Sequence, residues 1–155
     1  MISHQIQVSE FNDLTNFELY EILKLRNEVF VVEQECPYDD IDGNDINALH
    51  LFIIENDSVV ACCRILKPGV TFPTFAIGRL ATKKEYRGNG YARSLMENAI
   101  KNIFERVEVD TIMISAQSYL KEFYDSLGFK IVSDMYLEDE IPHYNMMLKK
   151  NKEGR

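Results

Sequence analysis

The stretch from Ile77 to Ile103 constrains the fold more than any other part of the chain. Its first residues, Ile77–Thr82, are apolar enough for a buried strand. Its last part has apolar side chains at the i, i+3, i+4 and i+7 spacing of an amphipathic helix, namely Ala92, Leu95, Met96, Ala99, Ile100 and Ile103. The sequence therefore predicts a strand, a turn and a helix in succession.

The turn between this strand and helix is rich in small residues and reads Arg87-Gly88-Asn89-Gly90-Tyr91-Ala92. Small side chains leave the backbone N–H groups at the helix start uncovered, and the positive end of the helix dipole lies there too. Arg87 adds a positive charge with two parallel donors for phosphate. The turn is not a dinucleotide fingerprint or a P-loop, because Arg93 stands three residues after Gly90 and no Gly-Lys-Ser/Thr follows. The alternative is a glycine turn that only caps the helix.

Composition limits the classes of protein to consider. With 155 residues, the chain is expected to form one domain, residues 1–155. No apolar run approaches the roughly 20 residues that span a bilayer, so no membrane association is expected. The N-terminus lacks the pattern of a secretory signal, and a cytoplasmic location is the default. The net charge of −8 argues against nucleic-acid binding and is compatible with an amine substrate, although it also serves solubility.

No metal site or disulfide framework is expected. Cys36 is isolated, and the adjacent Cys62 and Cys63 should point to opposite faces of a strand. A polar loop carries four carboxylates without the spacing of a calcium loop, namely Asp39, Asp40, Asp42 and Asp45. Such a loop could attract an amine, or it could be a solvated turn.

Patterning predicts a layered α/β architecture, with helices interleaved in a mixed sheet. Helices are expected at Phe17–Val32, from Ala92 to Ile103, and at Tyr119–Leu127. Strands are expected at His4–Val8, Ala48–Glu55, Ser58–Lys67, Thr74–Thr82, Asp110–Ser115, Phe129–Ser133 and His143–Leu148. Ser133–Pro142 is predicted to be a polar connection, and Asn151–Arg155 to fray.

Three segments carry a resemblance to a known family. Arg87-x-x-Gly90-x-Ala92 resembles the acyl-CoA-binding motif R/Q-x-x-G-x-G/A of the GNAT N-acetyltransferases. Phe123–Phe129 resembles that family's F-Y-x-x-x-G-F segment, and Glu138–Met146 is similar to the E-D-G-I-P-H-x-x-M ending of its ElaA-like subgroup. The correspondence runs from about Leu19 to Met147. One departure is Glu140, where the subgroup commonly has glycine.

The resemblance implies a GNAT fold, in which a mixed, mostly antiparallel sheet of roughly six to seven strands is flanked by helices. The strand before the glycine turn would splay from the next strand and open a slot. Acetyl-CoA would bind there as co-substrate, against Leu80, Ala81, Thr82, Arg87, Gly88, Asn89, Gly90, Tyr91, Ala92, Gln117 and Tyr124. The backbone N–H of Leu80 would polarise the acyl carbonyl.

The resemblance assigns a role to Tyr124, and the chemistry of amine acylation and the positions of polar residues suggest further site residues. Tyr124 would protonate the departing thiolate, since a phenol is protonated at neutral pH; the alternative is a core aromatic residue. A base must take a proton from the amine, and the candidates are Glu33, His50 and His143, with Asp42 and Glu138 behind them. Four further residues are assigned to the acceptor, with core or ion-pair roles as the alternatives: Arg26, His50, Arg64 and Arg79.

The predicted function is direct transfer of an acetyl group, in a ternary complex, to a small-molecule amine. Cys62 and Cys63 have no evident histidine partner, which disfavours a covalent cysteine route. The protein would be a monomer or a homodimer. Two alternatives stay open: an acyl-carrier-protein-dependent transferase of the acyl-homoserine-lactone-synthase type, and a non-catalytic CoA-binding regulator.

Overall fold

A computed structural model describes residues 4–151, and at its centre is an eight-stranded sheet. Residues 1–3 and 152–155, which include most of the tail predicted to fray, lie outside the described range. The strands are Gln7–Glu10 (β1), Leu49–Glu55 (β2), Ser58–Leu66 (β3), Phe75–Thr82 (β4), Thr111–Gln117 (β5), Lys130–Ile131 (β6), Tyr136–Glu138 (β7) and Ile141–Lys149 (β8). The α-helices are Asn16–Arg26 (α1), Tyr91–Phe104 (α2) and Lys121–Asp125 (α3).

The strands run in the order β1-β2-β3-β4-β5-β8-β6, and β7 pairs with β8. All neighbours are antiparallel except β4 and β5. The β4–β5 register pairs Phe75 with Ile112 and Ala76 with Met113 and ends there. Beyond Ala76 the two strands separate, which confirms the predicted splay and leaves a slot in the middle of the sheet.

Helices cover both faces of the sheet. Helix α2 buries Leu95, Ala99 and Ile103 completely, which confirms the amphipathic pattern. Full burial of one such leucine or isoleucine side chain contributes roughly 1.5–3 kcal/mol. Helix α1 packs Ile22 and Leu25 on the opposite face. Cys63 joins the α2 side and Cys62 the α1 side, as strand alternation predicts.

The first helix differs from the prediction of one helix over Phe17–Val32. It begins with a capping box, in which the side chains of Thr15 and Glu18 each accept a hydrogen bond from the other's backbone N–H. The α-helix ends at Arg26, and Asn27–Glu33 continues as a π-helical segment. π-Helical turns are rare and are often found at functional sites.

The sheet contains a strand that the sequence analysis did not predict. Within the expected polar connection, Tyr136–Glu138 pairs with the start of β8 as a tight hairpin. The two turn residues, Asp139 and Glu140, have positive φ values of 51° and 64°. Two successive left-handed residues form the turn type that suits hairpins, usually with Asn-Gly or Asp-Gly. The missing glycine concealed the hairpin and accounts for the eighth strand.

No helix within residues 4–151 is both long enough and apolar enough to cross a membrane. No group of three or more His, Cys, Asp or Glu side chains in that range could hold a metal ion.

Candidate active site

An open cavity of about 650 Å³ lies where β4 and β5 separate. Its walls come from β4, the first turn of α2, the end of the π-helical segment, α3 and the β7–β8 hairpin. It has the size of a site for a small molecule or cofactor. Most of the predicted site residues line it: Glu33, Arg79, Leu80, Ala81, Thr82, Arg87, Gly88, Gly90, Tyr91, Ala92, Gln117, Tyr124 and His143.

The glycine turn forms one end of the cavity. Gly88 and Gly90 have φ values of 82° and 83°, a left-handed conformation that side chains disfavour. Gly90 is the N-cap of α2 and makes no side-chain capping hydrogen bond, and a Cβ added at Gly88 would meet nothing within 4 Å. Asn89 lies outside the cavity, where its amide donates to the carbonyls of Tyr86 and Arg87 and supports the turn. The uncapped start of α2 is thus open to an anion, as the motif predicts.

A bulge in β4 shapes the neighbouring wall. Cys62 pairs with Ala81 and Arg64 with Gly78, so β4 contains one more residue than β3 between these pairs. Arg79 within the bulge has a φ of +52°, which is uncommon for a residue other than glycine. Leu80 also lies within the bulge, at a level where the β4–β5 register has already ended. This position suits a backbone donor to a ligand in the slot.

Arg87 is held by Glu33 in a two-pronged ion pair. Its Nη1 and Nη2 atoms lie 2.6 and 2.7 Å from the two carboxylate oxygens, and its Nε donates to the carbonyl of Thr82 at 3.0 Å. The hydrogen bonds from Arg87 lower the pKa of Glu33. Glu33 is therefore a poor base while this ion pair persists.

Next to this ion pair, Gln34 pairs with Gln117 at the end of β5. Each side-chain amide donates to the other's carbonyl oxygen, at 3.1 and 3.3 Å. Gln117 is a predicted site residue, whereas Gln34 is not. The position of Gln34 directly after Glu33 is the sequence feature that could have identified it.

Tyr124 lies in α3 with its ring buried between aromatic neighbours. It packs edge to face on Phe123 and Phe129, with centroid distances of 5.1 and 6.1 Å. Its hydroxyl makes no hydrogen bond to any residue that the structure describes. Burial raises the pKa of Tyr124, so the phenol stays protonated at neutral pH.

His143 presents one ring nitrogen as an acceptor. Its Nδ1 lies 2.7 Å from the carbonyl oxygen of Ile141, and because a carbonyl only accepts, Nδ1 carries the proton. In the neutral ring, Nε2 then has the lone pair, and it lies 3.9 Å from a carboxylate oxygen of Glu138. Tyr136, which the sequence analysis missed because it missed β7, stacks on the ring at 5.9 Å.

Three arginines and three aspartates form a largely buried group, which we call the arginine–aspartate cluster: Arg26, Arg64, Arg79, Asp40, Asp42 and Asp45. Asp45 Oδ1 lies 2.7 Å from Arg26 Nη1 and 2.9 Å from Arg64 Nη1. Tyr38 donates to Asp40 at 2.7 Å. The cluster attaches the polar loop to α1, β3 and β4.

The cluster changes the interpretation of four predicted acceptor residues. Arg26, Arg64 and His50 are buried outside the cavity, and Nε2 of His50 donates to the carbonyl of Asp45 at 2.8 Å. Arg79 lines the cavity, but its guanidinium pairs with Asp40 and Asp42. Arg26, His50 and Arg64 therefore do not reach the acceptor space, and the charge of Arg79 is balanced by carboxylates of its own chain. Three of the loop carboxylates are likewise used by arginines, and so do not form the amine-attracting surface that was considered.

Comparison with known proteins assigns the family. The model of the acetyltransferase (GNAT) domain matches residues 15–150 of the chain. The chain is a member of the GNAT acetyltransferase family. It is 38% identical over 137 residues to protein ElaA of Escherichia coli K12, an alignment that covers 87% of this chain and 90% of ElaA. The predicted resemblance to GNAT and ElaA-like proteins is confirmed.

Solved structures confirm the GNAT fold. The E. coli ElaA crystal structure matches with a TM-score of 0.86 and 35% identity, over 94% of this chain and 99% of that one. An acyl-CoA N-acyltransferase from Pseudomonas aeruginosa matches with a TM-score of 0.84 and 38% identity, over 93% and 99% of the chains. The AHL synthase LasI, at 16% identity and a TM-score of 0.74, covers 96% of this chain and shares the fold alone.

Proposed function

We propose that this GNAT protein, as one domain over residues 1–155, transfers an acetyl group from acetyl-CoA directly to a small amine. One observation carries the proposal: Tyr124, His143 and the glycine turn line the same cavity. An acid, a base and an anion site in one cavity are what amine acylation by a thioester requires.

The residues of the cavity fit the donor substrate. The backbone of Gly88, where an added Cβ would meet nothing within 4 Å, and the first turn of α2 offer N–H groups to a diphosphate, and Arg87 offers a guanidinium. The bulged β4 backbone at Leu80 offers hydrogen bonds to the acyl arm. No metal ion is needed for this chemistry.

The proton transfers follow from the two side chains. His143 Nε2 takes a proton from the ammonium form of the acceptor, which leaves the nitrogen lone pair able to attack the thioester carbonyl. As the new C–N bond forms and the C–S bond breaks, Tyr124 shares its proton with the leaving sulfur. The second amine proton and the proton held by His143 both pass to solvent, and solvent returns a proton to the phenol. The products are an N-acetyl amine and a thiol.

A covalent cysteine route has little support. Cys62 and Cys63 are buried in the core, and burial raises the pKa of both thiols. Neither thiol is available as a thiolate nucleophile. A small amine as acceptor, a monomeric or homodimeric state and a cytoplasmic location stay predictions.

The test is release of free thiol from acetyl-CoA with a panel of small amines. We expect Tyr124→Phe to lower kcat by about 10²-fold, the usual contribution of a general acid, with little change in the Kd for acetyl-CoA. Tyr20→Phe is the control, because Tyr20 is exposed on α1 and outside the cavity. Unchanged turnover in Tyr124→Phe would contradict the assigned role. Acetyl-CoA binding with no thiol release from any amine would favour the non-catalytic regulator.

A further inference from the structure

We propose that Glu33 and Gln34 form a strap that occupies the groups recognising CoA and is displaced when the donor binds. The inference deepens the proposed function and depends on it, because it concerns the same donor site. It assigns Glu33 to competition with the donor, where the sequence analysis considered it as a base.

The first half of the strap is the ion pair of Glu33 with Arg87. Both Nη atoms of Arg87 are engaged by the two oxygens of one carboxylate, at 2.6 and 2.7 Å. A planar guanidinium binds a phosphate group with the same two parallel donors. Arg87 therefore cannot hold Glu33 and a diphosphate in this manner at the same time.

The second half of the strap is the amide pair of Gln34 with Gln117. The reciprocal hydrogen bonds, at 3.1 and 3.3 Å, use one amide donor and one amide acceptor on each side. The acyl arm of CoA also carries amide groups, which need the same complementary partners. Gln34 thus occupies the amide of Gln117, a side chain that is predicted to bind acetyl-CoA.

The two contacts lie on opposite walls of the slot. Arg87 follows β4, whereas Gln117 is the last residue of β5, and these strands no longer pair beyond Ala76 and Met113. Adjacent residues of one segment therefore bridge the gap between the splayed strands. A ligand that enters the slot along both walls meets both contacts.

The segment that carries the strap is suited to move. Arg26, at its base, is only 1% exposed and is fixed by Asp40 and Asp45. The π-helical residues after it, Asn27–Glu33, include none that is buried. Within this segment, the partly buried side chains of Val29 and Phe30 pack against the core, whereas Val32 and Glu33 are exposed. Displacement confined to this exposed end therefore leaves the hydrophobic core closed.

The strap contacts are weak enough to exchange. The side chains of Glu33 and Arg87 are 40% and 39% exposed, and water screens a pair of this kind. Measured exposed pairs contribute so little that their loss changes an equilibrium by about two- to fivefold. The strap should lower the affinity for CoA by a similar factor and assist its release after transfer.

The test is the Kd for CoA, measured by calorimetry on the full chain at low ionic strength. We expect Glu33→Gln to tighten CoA binding by about two- to fivefold, because the competitor loses its charge. Glu28→Gln is the matched control, since it removes one charge from the same segment and Glu28 has no ion pair among the described residues. We expect no change in the Arg87→Ala background, and a smaller gain at high salt.

The outcomes separate this inference from the proposed function. If the wild-type chain binds CoA and Glu33→Gln binds it equally or more weakly, the strap is refuted and the donor site stands. An equal gain in Glu28→Gln would also refute the strap, because the effect would then be general electrostatics. Failure of the wild-type chain to bind CoA would refute both proposals. Gln34→Ala tests the second half in the same way, with tighter binding expected.

Discussion

Replacement of Asp45 by asparagine tests whether the arginine–aspartate cluster holds the site in shape. The carboxylate is almost fully buried, and one of its oxygens contacts both Arg26 and Arg64. The asparagine side chain would keep the volume but leave two buried guanidinium groups short of one negative charge. Loss of one partner from a buried ion pair costs about 3–5 kcal/mol. We expect about 3 kcal/mol, the lower end, because the amide oxygen still accepts a hydrogen bond.

Urea denaturation followed by circular dichroism measures this change in the free energy of unfolding. For a chain of this length, about 3 kcal/mol corresponds to a decrease in Tm of roughly 6–12 °C. Asp39→Asn is the control, because Asp39 is exposed in the same loop and should change stability by less than about 0.5 kcal/mol. A cost for Asp45→Asn below about 1 kcal/mol would refute the role of the cluster.

The same variant should change the dependence of stability on pH. Hydrogen bonds from Arg64 lower the pKa of Asp42, and the hydrogen bond from Arg26 lowers that of Asp45 although burial opposes it. Groups with a folded-state pKa below the unfolded value of 3.8 stabilise the protein above that pH. Their contribution is lost as the pH falls from about 4 towards the folded-state values. The wild-type curve should therefore fall steeply there, and the Asp45→Asn curve less steeply.

Three further predictions concern the turn, the hairpin and the base. Gly90→Val should abolish CoA binding. Gly69→Val is the control, because it strains a similarly left-handed residue (φ 92°) outside the cavity and should leave CoA binding intact. Equal affinities of the two variants in calorimetry would contradict the placement of the diphosphate. Glu140→Gly should stabilise the fold by about 1 kcal/mol in thermal denaturation, because glycine adopts a φ of 64° without strain, and a lower Tm would contradict this reasoning. His143→Gln should lower kcat/KM most at neutral pH and less at alkaline pH, because the amine then loses its proton without a base. A decrease in kcat/KM that is independent of pH would exclude the role of His143 as the base.

Local sequence patterns predicted most of the fold because buried side chains recur along the chain at the regular spacings of helices and strands. The spacing of Leu95, Ala99 and Ile103 indicated the buried face of α2, and strand alternation separated Cys62 from Cys63. The predictions failed where a local rule was broken. The turn of the β7–β8 hairpin consists of Asp139 and Glu140 and contains no glycine, so the usual sequence pattern of a hairpin turn was absent.

The sequence by itself determined the family, the strand–turn–helix unit and the residue types that acylation needs. Short segments encode these features, because residues close together in such a segment are also close together in space. The tertiary structure alone decided how the charged side chains pair. Arg26 meets Asp45, and Arg87 meets Glu33 54 positions away in the chain, because the sheet and the polar loop bring these segments together. Whether an arginine binds a ligand or a carboxylate of its own chain depends on that packing, which no local pattern contains.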